Sequence, residues 1–259
     1  MSDGVVTATT EDHLMHITVD RSDKMNGFTP EMFDELGGHL AELDEQDDLW
    51  AGVVSFAGPH TTAGLDLPRF AASMRGDEAP AERRGVDPFG MARRCRKPVV
   101  MAVQGVTFTI GIEMLLGADI VIAADDCRFA QLEPKRGLAV FGGAHIRYVQ
   151  RAGWGNAMYH LLRADEFDAA RALQLGFVQE VVPAGTQIER AVELAREILE
   201  CAPLATQEIK RAAQVALLEG EQAGIAEIPA MRARTAGSED FREGLASFTE
   251  RRPARFTGR

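Results

Sequence analysis

The stretch FTIGIEMLLGADIVIAA, residues 108–124, is apolar at almost every position, yet its first half carries a carboxylate, Glu113. A helix begins within TIGIE (109–113), and DIVIAA (119–124) reads as a short buried strand. Glu113 and Asp119 interrupt the run before it could make a bilayer span. An unpaired charge in such surroundings is costly, and the usual relief is a pKa raised toward neutrality. Glu113 is therefore either a structural group with a partner supplied by the fold or a proton-transfer group.

Outward from this stretch the same pattern recurs. GVVSFAG (52–58) and KPVVMAVQG (97–105) are short apolar strands stopped by glycine, so strand, turn and helix alternate along the first two-thirds of the chain. That is an α/β class. GVVTATT and HLMHITV form an edge hairpin around a turn at Glu11 and Asp12, followed by a second turn in DRSDKMNGF. Thr29 then caps a helix with Pro30 at its first position. Phe33, Leu36, Leu40 and Leu43 recur at helical spacing, and the helix ends near Gln46.

Residues 73–88, SMRGDEAPAERRGVDP, show no period and are expected to form a mobile surface loop or lid, while RRCRK (93–97) reads as a charged helix end. Past Phe167 the pattern turns mostly helical: DAARALQLG closes at Gly176, FVQEVVP is a last strand, and three helical stretches follow between about 186 and 250. The expected division is a core domain over 1–185 and a helical region over 186–259. No repeat or low-complexity segment is present.

The 259 residues, 46% of them hydrophobic, can fill a sizeable core, and the net charge of -11 argues against nucleic acid and anionic membrane as general partners. The opening MSDGVVTATTED lacks the basic and apolar regions of a signal peptide, so the mature chain is expected to start there and to be cytoplasmic. Cys95, Cys127 and Cys201 are widely spaced, without a CxxC pair, and read as reduced, buried small hydrophobes. The six histidines are scattered, and His13 with His16 falls on a strand, so no metal is indicated. GxSxG, Walker, GxGxxG and HExxH patterns are all missing.

Two glycine-bearing turns remain. In TTAGLDL (61–67) the chain turns sharply after a buried strand, and in TIGIE a helix begins; both leave backbone N–H groups free. Two such donors converging on one oxygen would form an oxyanion hole, although strand-to-helix turns with glycine are mostly just turns.

Six segments in order, DKMNGF, TAGLDL, KPVVMAVQG, GIEMLLGADIVIAADDCRFAQLE, GFVQEVVP and SEDFREGLASFTERRPARFTGR, resemble the crotonase superfamily and, within it, its enoyl-CoA hydratase-like members. The resemblance spans nearly the whole chain. It implies a spiral of ββα units with a C-terminal helical region that builds trimers or dimers of trimers. It also implies an acyl-CoA thioester substrate, coenzyme A being part of that substrate with no further cofactor.

The oxyanion donors implied are the N–H groups of Leu65 and Ile110, and the catalytic glutamates are Glu113 and Glu133, twenty positions apart. The roles implied are water alignment and base work for Glu113 and delivery of a proton to C2 for Glu133. Read without the resemblance, Glu133 is a helix-end or surface group beside Lys135 and Arg136. Ile110 stands where the family usually has glycine, which restricts backbone geometry and adds bulk there.

Lys24, Met25, Ala63, Leu65, Asp66 and Leu67 match substrate- and CoA-binding positions, and Phe248 and Arg251 match positions that reach the coenzyme of a neighbouring subunit. Asp66 and Asp119 read as turn or cap groups rather than catalysts. Phe70, Met74 and the loop to Pro88 cover the variable acyl-binding region. The reaction implied is hydration of a trans-2-enoyl-CoA to 3-hydroxyacyl-CoA. An enoyl-CoA isomerase using mainly Glu133 as base, or a non-catalytic acyl-CoA or partner-binding protein, stands as the alternative.

Overall fold

The computed structural model describes residues 3–75 and 85–259. β1 (Val5–Glu11) and β2 (Leu14–Asp20) form the expected antiparallel hairpin at one edge of a sheet. Its turn sits at Asp12 and His13, one residue later than expected, both at positive φ. α1 (Pro30–Glu45) begins where Thr29 accepts the Met32 N–H and ends before Gln46. Its buried face, Met32, Phe33, Leu36, Leu40 and Leu43, packs on the first strands.

From β3 (Ala51–Phe56) the chain winds as a spiral, each turn placing one strand in a large sheet, a second in a small sheet, and then a helix. β3 is followed by the lone bridging residue Thr62 and by α2 (Leu67–Arg75). β4 (Val99–Val103) leads to β5 (Val106–Phe108) and α3 (Ile110–Leu115). β6 (Ile120–Ala124) leads to β7 (Arg128–Ala130), a 3-10 turn at Glu133–Arg136 and α4 (Ala144–Arg163). β8 (Phe167–Asp168), α5 (Ala169–Gln174) and β9 (Glu180–Val182) close the core. The large sheet runs β1-β2-β3-β4-β6-β9, parallel from β2 onward, and the small one β5-β7-β8. This is the ββα spiral that the resemblance implied.

β3 and β4 are buried at every position because both faces of the sheet are covered. Ala51, Val53, Val100, Ala102 and Ile122 face α6 (Gln187–Leu199), whose Ala191 and Ala195 permit close approach. Val54, Met101, Val103, Val121 and Ala123 point to the main core with α1, α3 and α4.

Several expectations are corrected here. Residues 73–75 finish α2, Val86 is a core residue, and the rest of the supposed lid, 76–84, lies outside the described residues, as does the Met74 side chain. The C-terminal region holds four helices, not three: α6, α7 (Pro203–Glu219), α8 (Glu221–Ala236) and α9 (Glu239–Glu250). Gly220 alone separates α7 from α8, a break too short to interrupt the periodicity. Cys95 and Cys127 are buried, and burial pushes their thiols up to about 11 and about 12, but Cys201 is exposed, in the turn just past α6. Among the described residues no helix is long and apolar enough to cross a membrane.

RRCRK is a bend leading into β4, not a helix end. Two of its charges are absorbed by the first helix: buried Asp44 accepts from Arg93 (3.0 Å), from Arg96 Nε (3.2 Å) and from the Arg96 backbone N–H (2.7 Å). Burial opposes the Asp44 charge, but these donors outweigh it and hold the carboxyl below its ordinary value. The stabilisation is thus present at neutral pH and lost as pH falls through the lowered value. Asp44→Ala is expected to cost about 2–3 kcal/mol near neutral pH, read as a lower urea midpoint. A cost that did not shrink on acidification would show that the aspartate acts by packing alone.

Candidate active site

The spiral brings separate sequence segments into register. Thr62 bridges Thr107, and Thr107 lies opposite Phe129. Three residues later in each turn, where the small sheet gives way to helix or turn, stand Leu65, Ile110 and Leu132, with Glu133 following. Equivalent points on adjacent strands are about 4.8 Å apart, so these groups converge without any long loop having to be placed.

The first donor is framed on both sides. The Gly64 N–H is held by Thr62 Oγ1 at 3.0 Å, the Gly64 carbonyl accepts from Phe28, and the Asp66 N–H donates to the Phe28 carbonyl, both at 2.9 Å. Between them the Leu65 N–H meets no acceptor among the described residues. Asn26 anchors this arrangement: fully buried at φ +50°, it donates to the carbonyls of Ala57 and His60, while its own carbonyl accepts from Thr62 Oγ1.

At the second donor the unusual geometry falls one residue before the expected place. Ile110 simply opens α3, and as a first helical residue its N–H meets no acceptor among the described residues. It is Thr109 that takes the glycine-like conformation, φ +52° and ψ -113°. Its N–H is tied to the Ala130 carbonyl (2.9 Å), and its carbonyl accepts from Ile112 and Glu113. A non-glycine residue so placed carries strain of about 1–3 kcal/mol, held by these contacts.

Both glutamates line one cavity of about 460 Å³, together with Ala63, Gly64, Leu65, Leu67, Thr109 and Ile110. Their surroundings differ. Glu113 is 2% exposed, and burial raises its pKa, but the N–H groups of Ala144 (3.1 Å) and Gly142, at the start of α4, favour its ionised form. Glu133 is pushed up to about 7, first by burial and then by the Glu113 charge. Its Oε1 accepts from Gln131 (3.2 Å), while its buried Oε2 has no partner among the described residues. Glu133 opens the 3-10 turn, as its reading as a helix-end group has it, but it is half-buried on the cavity wall rather than at the surface, and neither Lys135 nor Arg136 pairs with it among the described residues. Burial thus raises both carboxyls, but at Glu113 two N–H donors offset part of the rise, whereas Glu133 reaches about 7 and can hold a proton near neutrality.

Sequence reasoning missed several neighbours. Gln131 and the fully buried Tyr148, whose hydroxyl has no partner among the described residues, flank the carboxylates. Gly142 is required by space, since a Cβ there would lie 2.4 Å from Glu113 Oε2. The Gly142-Gly143 pair was its only sequence signal.

The enoyl-CoA hydratase/isomerase family pattern matches residues 9–259. The chain belongs to that family. It is 29% identical over 250 residues to enoyl-CoA hydratase EchA19 of Mycobacterium tuberculosis, covering 95% of this chain and 94% of that one. It is 30% identical over 255 residues to 1,2-epoxyphenylacetyl-CoA isomerase of Escherichia coli, covering 96% and 97%. Its fold is similar to a crystal structure of a probable enoyl-CoA hydratase/isomerase from Mycobacterium abscessus, with TM-score 0.93, 40% identity and 98% of each chain covered.

Of the positions that this hydratase/isomerase family resemblance assigned to substrate and coenzyme, Ala63, Leu65 and Leu67 line the cavity. Lys24 and Met25 are exposed on the adjacent loop, joined to it where the Ala63 N–H donates to the Met25 carbonyl at 3.0 Å. Asp66 instead pairs with buried Arg21 at 2.8 Å, which fits its reading as a turn group. Asp119 likewise accepts from the Val99 N–H and from Lys210 of α7. Phe248 and Arg251, at the end of α9, do not line the cavity of their own chain, and Phe248 is 84% exposed.

Proposed function

We propose that this family member hydrates a trans-2-enoyl-CoA thioester to 3-hydroxyacyl-CoA. The observation that carries the reading is the pair of unlike carboxyls, Glu113 with its burial partly offset by two N–H donors and Glu133 near pKa 7, in one cavity beside the Leu65 and Ile110 N–H groups, which meet no acceptor among the described residues. The hydratase names of its relatives agree with it.

In this reading the thioester oxygen lies between the Leu65 and Ile110 N–H groups. Glu113 takes a proton from water as the water oxygen bonds to C3, and the C=C electron pair moves through C2 to the thioester oxygen. The two donors stabilise that enolate. The enolate then collapses and takes a proton from Glu133 at C2. Glu113 ends protonated and Glu133 ionised, and one proton passing from the first to the second restores both. The net change is the addition of one water, and the reading calls for no resident cofactor.

Lys24 and Met25 receive the coenzyme at the cavity mouth, where a cation suits its phosphates in an otherwise acidic protein. Exposed Phe248 and Arg251 reach the coenzyme of a neighbouring subunit in a trimer or dimer of trimers. Isomerisation is the second reading, favoured by the name of the Escherichia coli relative and by the near-neutral pKa of Glu133, which lets it accept as well as donate a proton.

Incubation of trans-2-enoyl-CoA in water enriched with oxygen-18 separates the two. Hydration is expected to place one labelled hydroxyl on C3. Interconversion of 3-enoyl and 2-enoyl thioesters without label uptake would instead establish the isomerase, and binding without either reaction a non-catalytic protein.

A further inference from the structure

Aromatic rings line part of the cavity. Phe33 of α1 is the hub: its centroid lies 5.4 Å from Phe89 at 52°, 6.1 Å from Phe70 at 82°, and 4.8 Å from Phe28 behind it. Phe33 and Phe89 are only 3% and 7% exposed and belong to the main core, so these two rings cannot move without disturbing the packing. Phe141, on the loop before α4, supplies another ring to the lining.

The position of Gly142 connects these rings to the chemistry. A Cβ there would meet Glu113 Oε2 at 2.4 Å and the Phe89 ring at 3.0 Å, so the carboxylate and the ring edge flank the same small space. In the hydratase reading, on which this step rests, Glu113 directs water to C3. A substituent on C3 therefore emerges beside the rings.

We propose that the acyl group is a 3-aryl enoyl thioester, of the cinnamoyl type, rather than a long straight chain. Tilted and edge-to-face rings attract beyond simple burial at centroid separations of about 4.5–7 Å, the range that the Phe33, Phe70 and Phe89 array occupies. A substrate ring extends that array, whereas an alkyl chain of equal area gains burial alone. Two such contacts correspond to about tenfold in affinity.

The test is calorimetric binding of two saturated, unreactive thioesters, 3-phenylpropanoyl-CoA and n-octanoyl-CoA, to the full chain, together with turnover of cinnamoyl-CoA and trans-2-octenoyl-CoA. The phenyl thioester is expected to bind about tenfold more tightly. Phe70→Leu, a change at a partly exposed position, is expected to narrow that ratio to about threefold or less. Equal or tighter binding of the octanoyl thioester, or no binding of either, overturns the proposal. Tight binding of the phenyl thioester without hydration of cinnamoyl-CoA sinks the hydratase reading and leaves the ring-binding site standing.

Discussion

Glu133→Gln is expected to slow hydration by about a thousandfold and, at about pH 8, to make the protein more stable by about 2–3 kcal/mol. The two effects have one origin. Burial, and then the charge of Glu113, raise the Glu133 pKa from an ordinary value of 4.5 to about 7. The folded protein therefore holds this proton more tightly than the unfolded chain.

Below the ordinary value both states are protonated and nothing is gained or lost. As pH rises from there to about 7 the native state loses stability, and above it the full penalty remains. Glutamine keeps the shape and the contact with Gln131 but has no proton to lose. Its stabilising effect should thus appear in urea unfolding at about pH 8 and vanish at about pH 4. The wild-type rate should likewise fall on the alkaline side near pH 7, as a property of the coupled glutamate pair. A variant keeping more than about a tenth of the wild-type rate would remove Glu133 from the role of proton donor. Equal stabilisation at both pH values would mean that ionisation is not its cause.

How much of this was legible beforehand depended on the length of the signal. α1 was readable from Thr29, Pro30 and four leucine and phenylalanine positions, and β3, β4 and β6 from continuous apolar runs ended by glycine or polar turns. The small sheet was not, because β5 and β7 have three residues each, β8 has two, and Thr62 bridges alone. Segments so short carry no period. Yet their register is what places Glu133 beside Ile110.

Glu113 stood out locally, as a charge among apolar neighbours. Glu133, flanked by proline and two cations, looked like surface until the resemblance supplied its role. α4 was missed too, with Gly153 at φ +75° breaking its helical backbone. The conformation of Thr109 could not be read from its identity, since threonine gives no hint of a glycine-like φ.

That conformation also determines what happens when Gly64 gains one methyl group. Gly64 sits at φ +116°, and a Cβ there would lie 2.6 Å from Thr109 Oγ1. Thr109 has little freedom to retreat, because its N–H is bound to Ala130 and its carbonyl receives the N–H groups of Ile112 and Glu113. Any displacement passes to Ile110, the second donor, and to the backbone of Glu113, while strain at Gly64 shifts the adjoining Leu65 N–H.

Gly64→Ala is therefore expected to reduce kcat by about 100- to 1000-fold, as loss of an oxyanion donor does, with a stability cost of about 1–3 kcal/mol. The contact itself can be isolated by adding Thr109→Gly, which removes the obstructing hydroxyl and relieves the positive φ at that position. If the collision carries the effect, the double variant should recover at least about tenfold of the lost rate, a coupling that independent sites would not show. Recovery of stability without recovery of kcat would locate the damage at Leu65 alone, and no recovery of either would show that the strain resides in the Gly64 backbone rather than in the contact between the two turns.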